Sequence, residues 1–212
     1  REEKIGGKIA TRLGNGLAPL EPGETDTVII AGMGGDLICK ILKAKPEFLI
    51  EGKEFILQPQ SEWFKIRRLL KEYRYQIEKE WFLKEDGKYY VIIKAEPAWT
   101  QPQRLKHQQP SIHEYIKEIS ETPANQAVSE KDMESIYEQY GKYLIETKNP
   151  VLKEYLEKEI TKKESIAAEL KQSIKEIESE ELSGKERGNI AKRQRRYQEI
   201  QKEIRDMRKA IG

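Results

Sequence analysis

Cysteine is almost missing from this chain: Cys39 is the only one in 212 residues. A lone cysteine excludes an internal disulfide and fits a reducing compartment. Long apolar runs are missing too, and none approaches the roughly 20 residues needed to span a bilayer. The opening Arg-Glu-Glu-Lys has no signal-peptide core, so no membrane is expected and the expected location is cytoplasmic. An excess of one charge is also lacking. The net charge is +2 with 36% charged residues, so any nucleic-acid surface must be a local patch rather than a global field. The two histidines, His107 and His113, sit in a Gln-rich stretch without Cys or paired carboxylates at ligand spacing. They read as solvated side chains, and no metal is expected.

The most organised stretch is Thr27-Val-Ile-Ile-Ala-Gly-Met-Gly-Gly35 followed by Asp36-Leu-Ile-Cys-Lys-Ile-Leu42. The β-branched run at 28–30 reads as a strand buried on both faces. It stops in Gly32, Gly34 and Gly35. The apolar spacing then becomes helical, with Leu37, Ile38, Ile41 and Leu42 on one face. Strand, glycine turn and helix in this order place a ligand just past the strand's carboxyl end. Glycines let backbone approach that ligand, and amides at the helix start can face it. Gly34 is expected at positive φ. A tight turn with no ligand is the alternative, because short glycine motifs are not specific.

Around this stretch the order is βαβαβ and then a hairpin. Residues 8–13 read as a short strand ending at Gly14-Asn15-Gly16-Leu17, a turn suited to left-handed conformations. A strand at 54–57 closes in Gln58-Pro59-Gln60, and Ser61 is a plausible N-cap for a helix over 62–73. Strands at 75–83 and 89–95 flank the turn Glu85-Asp86-Gly87-Lys88 and should pair antiparallel. Residues 97–128 read as a polar connector with a short helical piece near 111–121.

From residue 129 the chain turns helical. Met133, Ile136, Tyr137, Tyr140 and Leu144 mark one face of a helix over 131–147. Asn149-Pro150 breaks it. Leu156, Ile160, Lys163, Ala167, Leu170, Ile174 and Ile177 then follow 4-3 spacing. Ile190, Arg193, Tyr197, Ile200, Ile204, Met207 and Ile211 do the same after Ser183-Gly184. Two such seams joined by a short turn predict an antiparallel coiled-coil hairpin, with Leu156 and Ile204 at about one level. Self-association through the seams is the alternative. Lys163 and Arg193 interrupt the seams, and their stems can pack while their charges reach water. Lys185, Arg187, Lys192, Arg193, Arg195 and Arg196 cluster on the second arm. They form either a solvated face paired with nearby glutamates or a phosphate-binding patch.

Four stretches occur in order: Arg12-Leu-Gly-Asn-Gly-Leu17, Ala31-Gly-Met-Gly-Gly35, Leu57-Gln-Pro59 and Glu85-Asp-Gly-Lys88. Together they resemble the bacterial tRNA (adenine-22, N1)-methyltransferase family. Asn15 stands where that family usually has Asp, and Gln60 where it often has Asn. The resemblance implies an α/β fold: a class I, Rossmann-like methyltransferase sheet over residues 1–96, the connector at 97–128, and a helical coiled-coil domain over 129–212. It also implies that the chain begins partway through that fold, incomplete at its N-terminus and short of the strand and loop that cradle the cofactor's methionine end. The opening without Met fits that expectation.

By the same resemblance the cofactor is S-adenosyl-L-methionine and the partner is tRNA. Gly14, Asn15, Gly16, Leu17, Ala31, Gly32 and Met33 would lie against the cofactor. Gly34, Gly35, Gln58 and Pro59 would lie against the target base, and Arg67 against RNA phosphate. No catalytic acid or base is named. A non-catalytic RNA-binding or assembly module, and a methyltransferase with another substrate, are the competing readings.

Overall fold

The structure, a computed structural model, describes residues 9–99, 128–178 and 184–212. These divide into two compact units: residues 9–81 with 90–99, and residues 82–89 with the helices from 128 onward. The histidines, the helical piece expected near 111–121 and the turn around 179–183 lie outside the described residues.

The first unit is built on a four-stranded sheet in the order β1-β2-β4-β3. Its elements are β1 (Thr27–Met33), α1 (Gly35–Ala44), α2 (Glu47–Ile50), β2 (Glu54–Pro59), α3 (Trp63–Glu72), β3 (Tyr75–Glu85) and β4 (Lys88–Pro97). β1 and β2 run parallel, and β2 and β4 antiparallel. β3 and β4 are joined through Asp86 and Gly87, both at positive φ, the geometry a two-residue hairpin turn requires. Register explains the core. Val28, Phe55 and Ala95 form one cross-strand row, and Ile30, Leu57 and Ile93 the next, and all six are buried. α1 and α3 pack on one another, burying Ile38, Leu42, Ile66, Leu69 and Leu70.

The opposite sheet face is different. Ile29 is 68% exposed there, so β1 is not buried on both faces as its β-branched run predicts. Among the described strands β1 is an edge, partnered only by β2. On that face Lys94 Nζ sits among the carboxylates of Glu54, Glu78 and Glu96, at 2.6 to 3.2 Å. These three are the only acidic groups among the described residues that converge enough to hold a metal ion, and the lysine already stands among them. Residues 9–13 form no strand. They are exposed and irregular, with Arg12 tied to Glu24 and to the Pro19 carbonyl. That pairing holds the Glu24 carboxyl at about 2.

The second unit contains α4 (Val128–Tyr140), α5 (Lys142–Glu146), α6 (Pro150–Glu178) and α7 (Gly184–Ile211). The single helix expected over 131–147 is interrupted at Gly141, whose φ is +92°. Asn149 Oδ1 accepts the backbone N–H of Val151 and Leu152, a side-chain cap with Pro150 in the first helical position. α6 and α7 pack along their length. Lys163 pairs with Glu203, Arg193 with Ser173 and Arg208 with Glu164, a descending register that makes them antiparallel. The two seam cations therefore find partners on the opposite helix instead of reaching water. Leu156 faces the Ala210 level rather than Ile204. The hairpin tip belongs to this unit: Phe82 and Tyr89 stack on Tyr155 at ring separations of 5.5 and 5.0 Å, and Lys84 pairs with Glu154. No helix among the described residues is long and apolar enough to cross a membrane.

Candidate active site

The glycine turn sits where two parallel strands end. Ala31 pairs with Gln58 and Met33 with Pro59, and the register slips between them. Gly32 is the residue that slips. Its φ is +79°, a region costly for any residue with a Cβ. A Cβ built there meets nothing within 4 Å. Glycine at 32 therefore serves conformation and leaves open space beside the backbone. Gly34, expected at positive φ, has φ −65° and is the N-cap of α1. The sequence could not separate these two glycines, because the bulge that selects Gly32 arises from pairing with β2.

Gly35 has the opposite character. It is buried, and a Cβ on it would stand 2.6 Å from the Glu62 carbonyl oxygen and 2.8 Å from that of Ser61. Here two backbones approach too closely for a side chain.

The segment after β2 is stitched to this turn. Gly32 N–H donates to Gln58 Oε1 at 2.8 Å. Gln60 N–H donates to the Met33 carbonyl at 2.8 Å, and Gly35 N–H to that of Ser61 at 2.9 Å. Asp36 N–H donates to Glu62 Oε2 at 3.3 Å. The first two amides of α1, those of Gly35 and Asp36, are therefore already taken, and what the turn leaves open is the space beside Gly32. Glu62, at φ +52°, occupies the N-cap position of α3 without a capping side-chain hydrogen bond, although the sequence pattern assigns the cap to Ser61. Ser61 instead lends its carbonyl to Gly35. Lys40 and Lys65 hold the Asp36 carboxyl at about 2.

The other expected site residues fall into three groups. Gly14, Asn15 and Gly16 lie in an exposed turn. Of these only Gly16 is left-handed, at φ +57°, and it lies against Ile41 of α1. Leu17 is buried and anchors that turn. Gln58 is half-buried. Its Nε2 is shielded from solvent and has no hydrogen-bond partner among the described residues, a donor whose pairing would recover its desolvation cost.

Arg67 is a correction. It is 5% exposed, and its Nε donates to Glu80 Oε1 at 2.8 Å. It cannot present its guanidinium to RNA phosphate from there. Burial raises the Glu80 carboxyl above its ordinary value, against the pull of Arg67. Sequence reasoning also passed over Gln60, Ser61 and Glu62 as site-shaping residues. Their signal was slight, a polar run directly after a strand.

A model of the tRNA (adenine(22)-N(1))-methyltransferase family matches residues 1–123. The chain belongs to that family. It is 43% identical over 88 residues to the tRNA (adenine(22)-N(1))-methyltransferase of Bacillus subtilis (strain 168), a match covering 42% of this chain. The chain spans about 37% of that relative's length. The crystal structure of the B. subtilis M1A22 tRNA methyltransferase TrmK aligns at a TM-score of 0.61 with 24% identity, covering 95% of this chain and 69% of that one. M. capricolum TrmK, solved with S-adenosyl-homocysteine, aligns at 0.55 with 21% identity, covering 95% and 67%. At these identities the likenesses show the fold, a Rossmann-like methyltransferase sheet with C-terminal helices.

Proposed function

We propose that the protein carrying this chain transfers the methyl group of S-adenosylmethionine to N1 of adenine 22 in tRNA, and that it acts in the cytoplasm. The observation that carries this reading is the open, left-handed backbone at Gly32, held by Gln58 at the carboxyl end of β1.

The residues present fit the cofactor. Gly32 leaves unfilled space beside the chain, Met33 is 38% exposed, and Asn15 presents an exposed amide. Ala31, Gly32 and Met33 would hold the reacting end of the cofactor. Gly14, Asn15 and Gly16 would hold its adenine, with Leu17 as their anchor. When bound, the cofactor supplies an electrophilic methyl group. Adenine N1 has a free lone pair, so the protein must orient the base rather than deprotonate it. Gln58 suits that task. Its Oε1 fixes the Gly32 peptide, and its unpaired Nε2 offers a hydrogen bond to an acceptor on the base. Pro59 forms the rim, and Gly34 and Gly35 set the backbone behind it. A base in a stem must be flipped out to reach this turn. Lys192 and Arg195, exposed on α7, are suited to RNA phosphate.

The test is methyl incorporation from labelled S-adenosylmethionine into an unmodified tRNA transcript. Labelling at adenine 22, lost when that position is guanosine, is expected. Equal labelling of both transcripts would overturn the substrate assignment.

A further inference from the structure

The two ends of the Gln58 side-chain amide are in different states. Oε1 accepts the Gly32 N–H at 2.8 Å. That bond fixes which way the amide points, because only its oxygen can accept. It also leaves the second lone pair of Oε1 available. Nε2 is shielded from solvent and has no hydrogen-bond partner among the described residues. Water does not satisfy it, so an acceptor brought by a ligand would recover its desolvation cost.

The place of this donor matters as much as its lack of a partner. Gln58 is the register partner of Ala31 where two parallel strands end, the position at which open α/β sheets bind ligands. It is bonded to the residue that opens the turn, since a Cβ on Gly32 would meet nothing within 4 Å. A free donor and a free acceptor position therefore stand side by side on one planar group next to open space.

That pairing selects one edge of a base. Adenine carries an acceptor, N7, beside a donor, the N6 amino group, and a glutamine amide matches the two bidentately. N1 lies on the far side of N6, so its lone pair stays uncovered. Guanine has O6 in place of the amino group, and that oxygen would face Oε1 lone pair to lone pair. Its N1 also carries a proton.

Resting on the methyl-transfer reading above, we propose that Gln58 selects adenine by its N6/N7 edge. Nε2 donates to N7, and Oε1 accepts from the N6 amino group while still holding the Gly32 N–H. Gln58 is thus a specificity-determining residue that leaves N1 free to attack and moves no proton itself.

Single-turnover methylation by the protein carrying this chain, compared on transcripts with adenosine or 7-deazaadenosine at position 22, tests this. Replacing N7 by C–H removes the acceptor and leaves N1 no less nucleophilic. Roughly tenfold slower methylation of the 7-deaza transcript is expected. In Gln58→Glu a carboxylate oxygen takes the place of Nε2 and meets N7 lone pair to lone pair, so the preference for adenosine should vanish or reverse. A purely structural role for Gln58 would leave that preference the same in both proteins. Equal rates on the two transcripts with the unaltered protein, or a folded Gln58→Glu protein that keeps the preference for adenosine, would overturn the proposal. If the variant does not fold, the unaltered protein decides alone. Failure to methylate even the adenosine transcript would instead overturn the substrate reading, and this inference with it.

Discussion

The two units of this molecule are held by different means. In the helical unit, specificity lies in side chains. Leu156, Ile160, Ala167, Ile200 and Ile204 fill the seam, and Lys163 and Arg193 reach across to fixed partners. In the α/β unit, the decisive region is held by backbone. The main-chain groups of Gly32, Met33 and Gly35 are tied to Gln58 Oε1 and to the main chain of Gln60 and Ser61, and side chains near them, Ile29 and Leu37, stay 68% and 49% exposed. A helical pair can be maintained by any apolar residues of suitable size. A turn built from main-chain contacts depends on which residue lacks a Cβ. The helices are therefore the tolerant region, and the turn is where single atoms matter.

The largest effect is expected away from both, at the Arg67–Glu80 pair. Arg67→Met leaves a carboxylate with a fully buried side chain and should cost about 3–5 kcal/mol near neutral pH. The folded state binds the Glu80 proton more tightly than the unfolded chain does, since burial raises its value. Stability linked to that proton is complete below the ordinary carboxyl range and is lost as pH rises through the folded value. The penalty should accordingly shrink toward about pH 4.5. Urea unfolding followed by tryptophan fluorescence reads this unit, because Trp63, Trp81 and Trp99 all lie in it. A penalty independent of pH would contradict the account.

Ile200→Ala in the helical seam comes next, at about 2–5 kcal/mol, read by far-ultraviolet ellipticity. With no titrating partner, this loss should not vary over the same pH range. If it tracks pH as the first does, the two units are not held as differently as described.

Gln58 sharpens the comparison at smaller cost. Gln58→Ala removes the acceptor of the exposed Gly32 amide and should cost about 0.5–1.5 kcal/mol. Gln58→Glu keeps the acceptor and removes the Nε2 donor, so it should cost less stability while still lowering methylation. Equal stability losses in both variants would show that the amide finds another partner.

The helical seams were legible because apolar residues at 3.5-residue spacing admit few arrangements, and Asn149-Pro150 marks a helix start by chemistry alone. The strand–glycine–helix switch was legible for similar reasons. Whether β1 is an edge was not, since alternating Val28 and Ile30 look alike in central and edge strands when only one face is covered. Arg67 was misjudged because its partner lies 13 positions away on β3, and a lone arginine on a helix is ordinarily exposed. The glycines were visible, but their division of labour was not, because it depends on the β2 register. The pairing of the hairpin tip with Tyr155 left no local signal either.

The most direct measurement concerns Gly32, because a Cβ there meets no neighbour and any defect must come from conformation or from the space it occupies. Gly32→Ala should lower stability by only about 1–2 kcal/mol. Single-turnover methylation of an unmodified tRNA transcript, measured on the same folded sample, should fall by roughly 100-fold. A folded Gly32→Ala protein that methylates at close to the normal rate would contradict the placement of the chemistry at this turn.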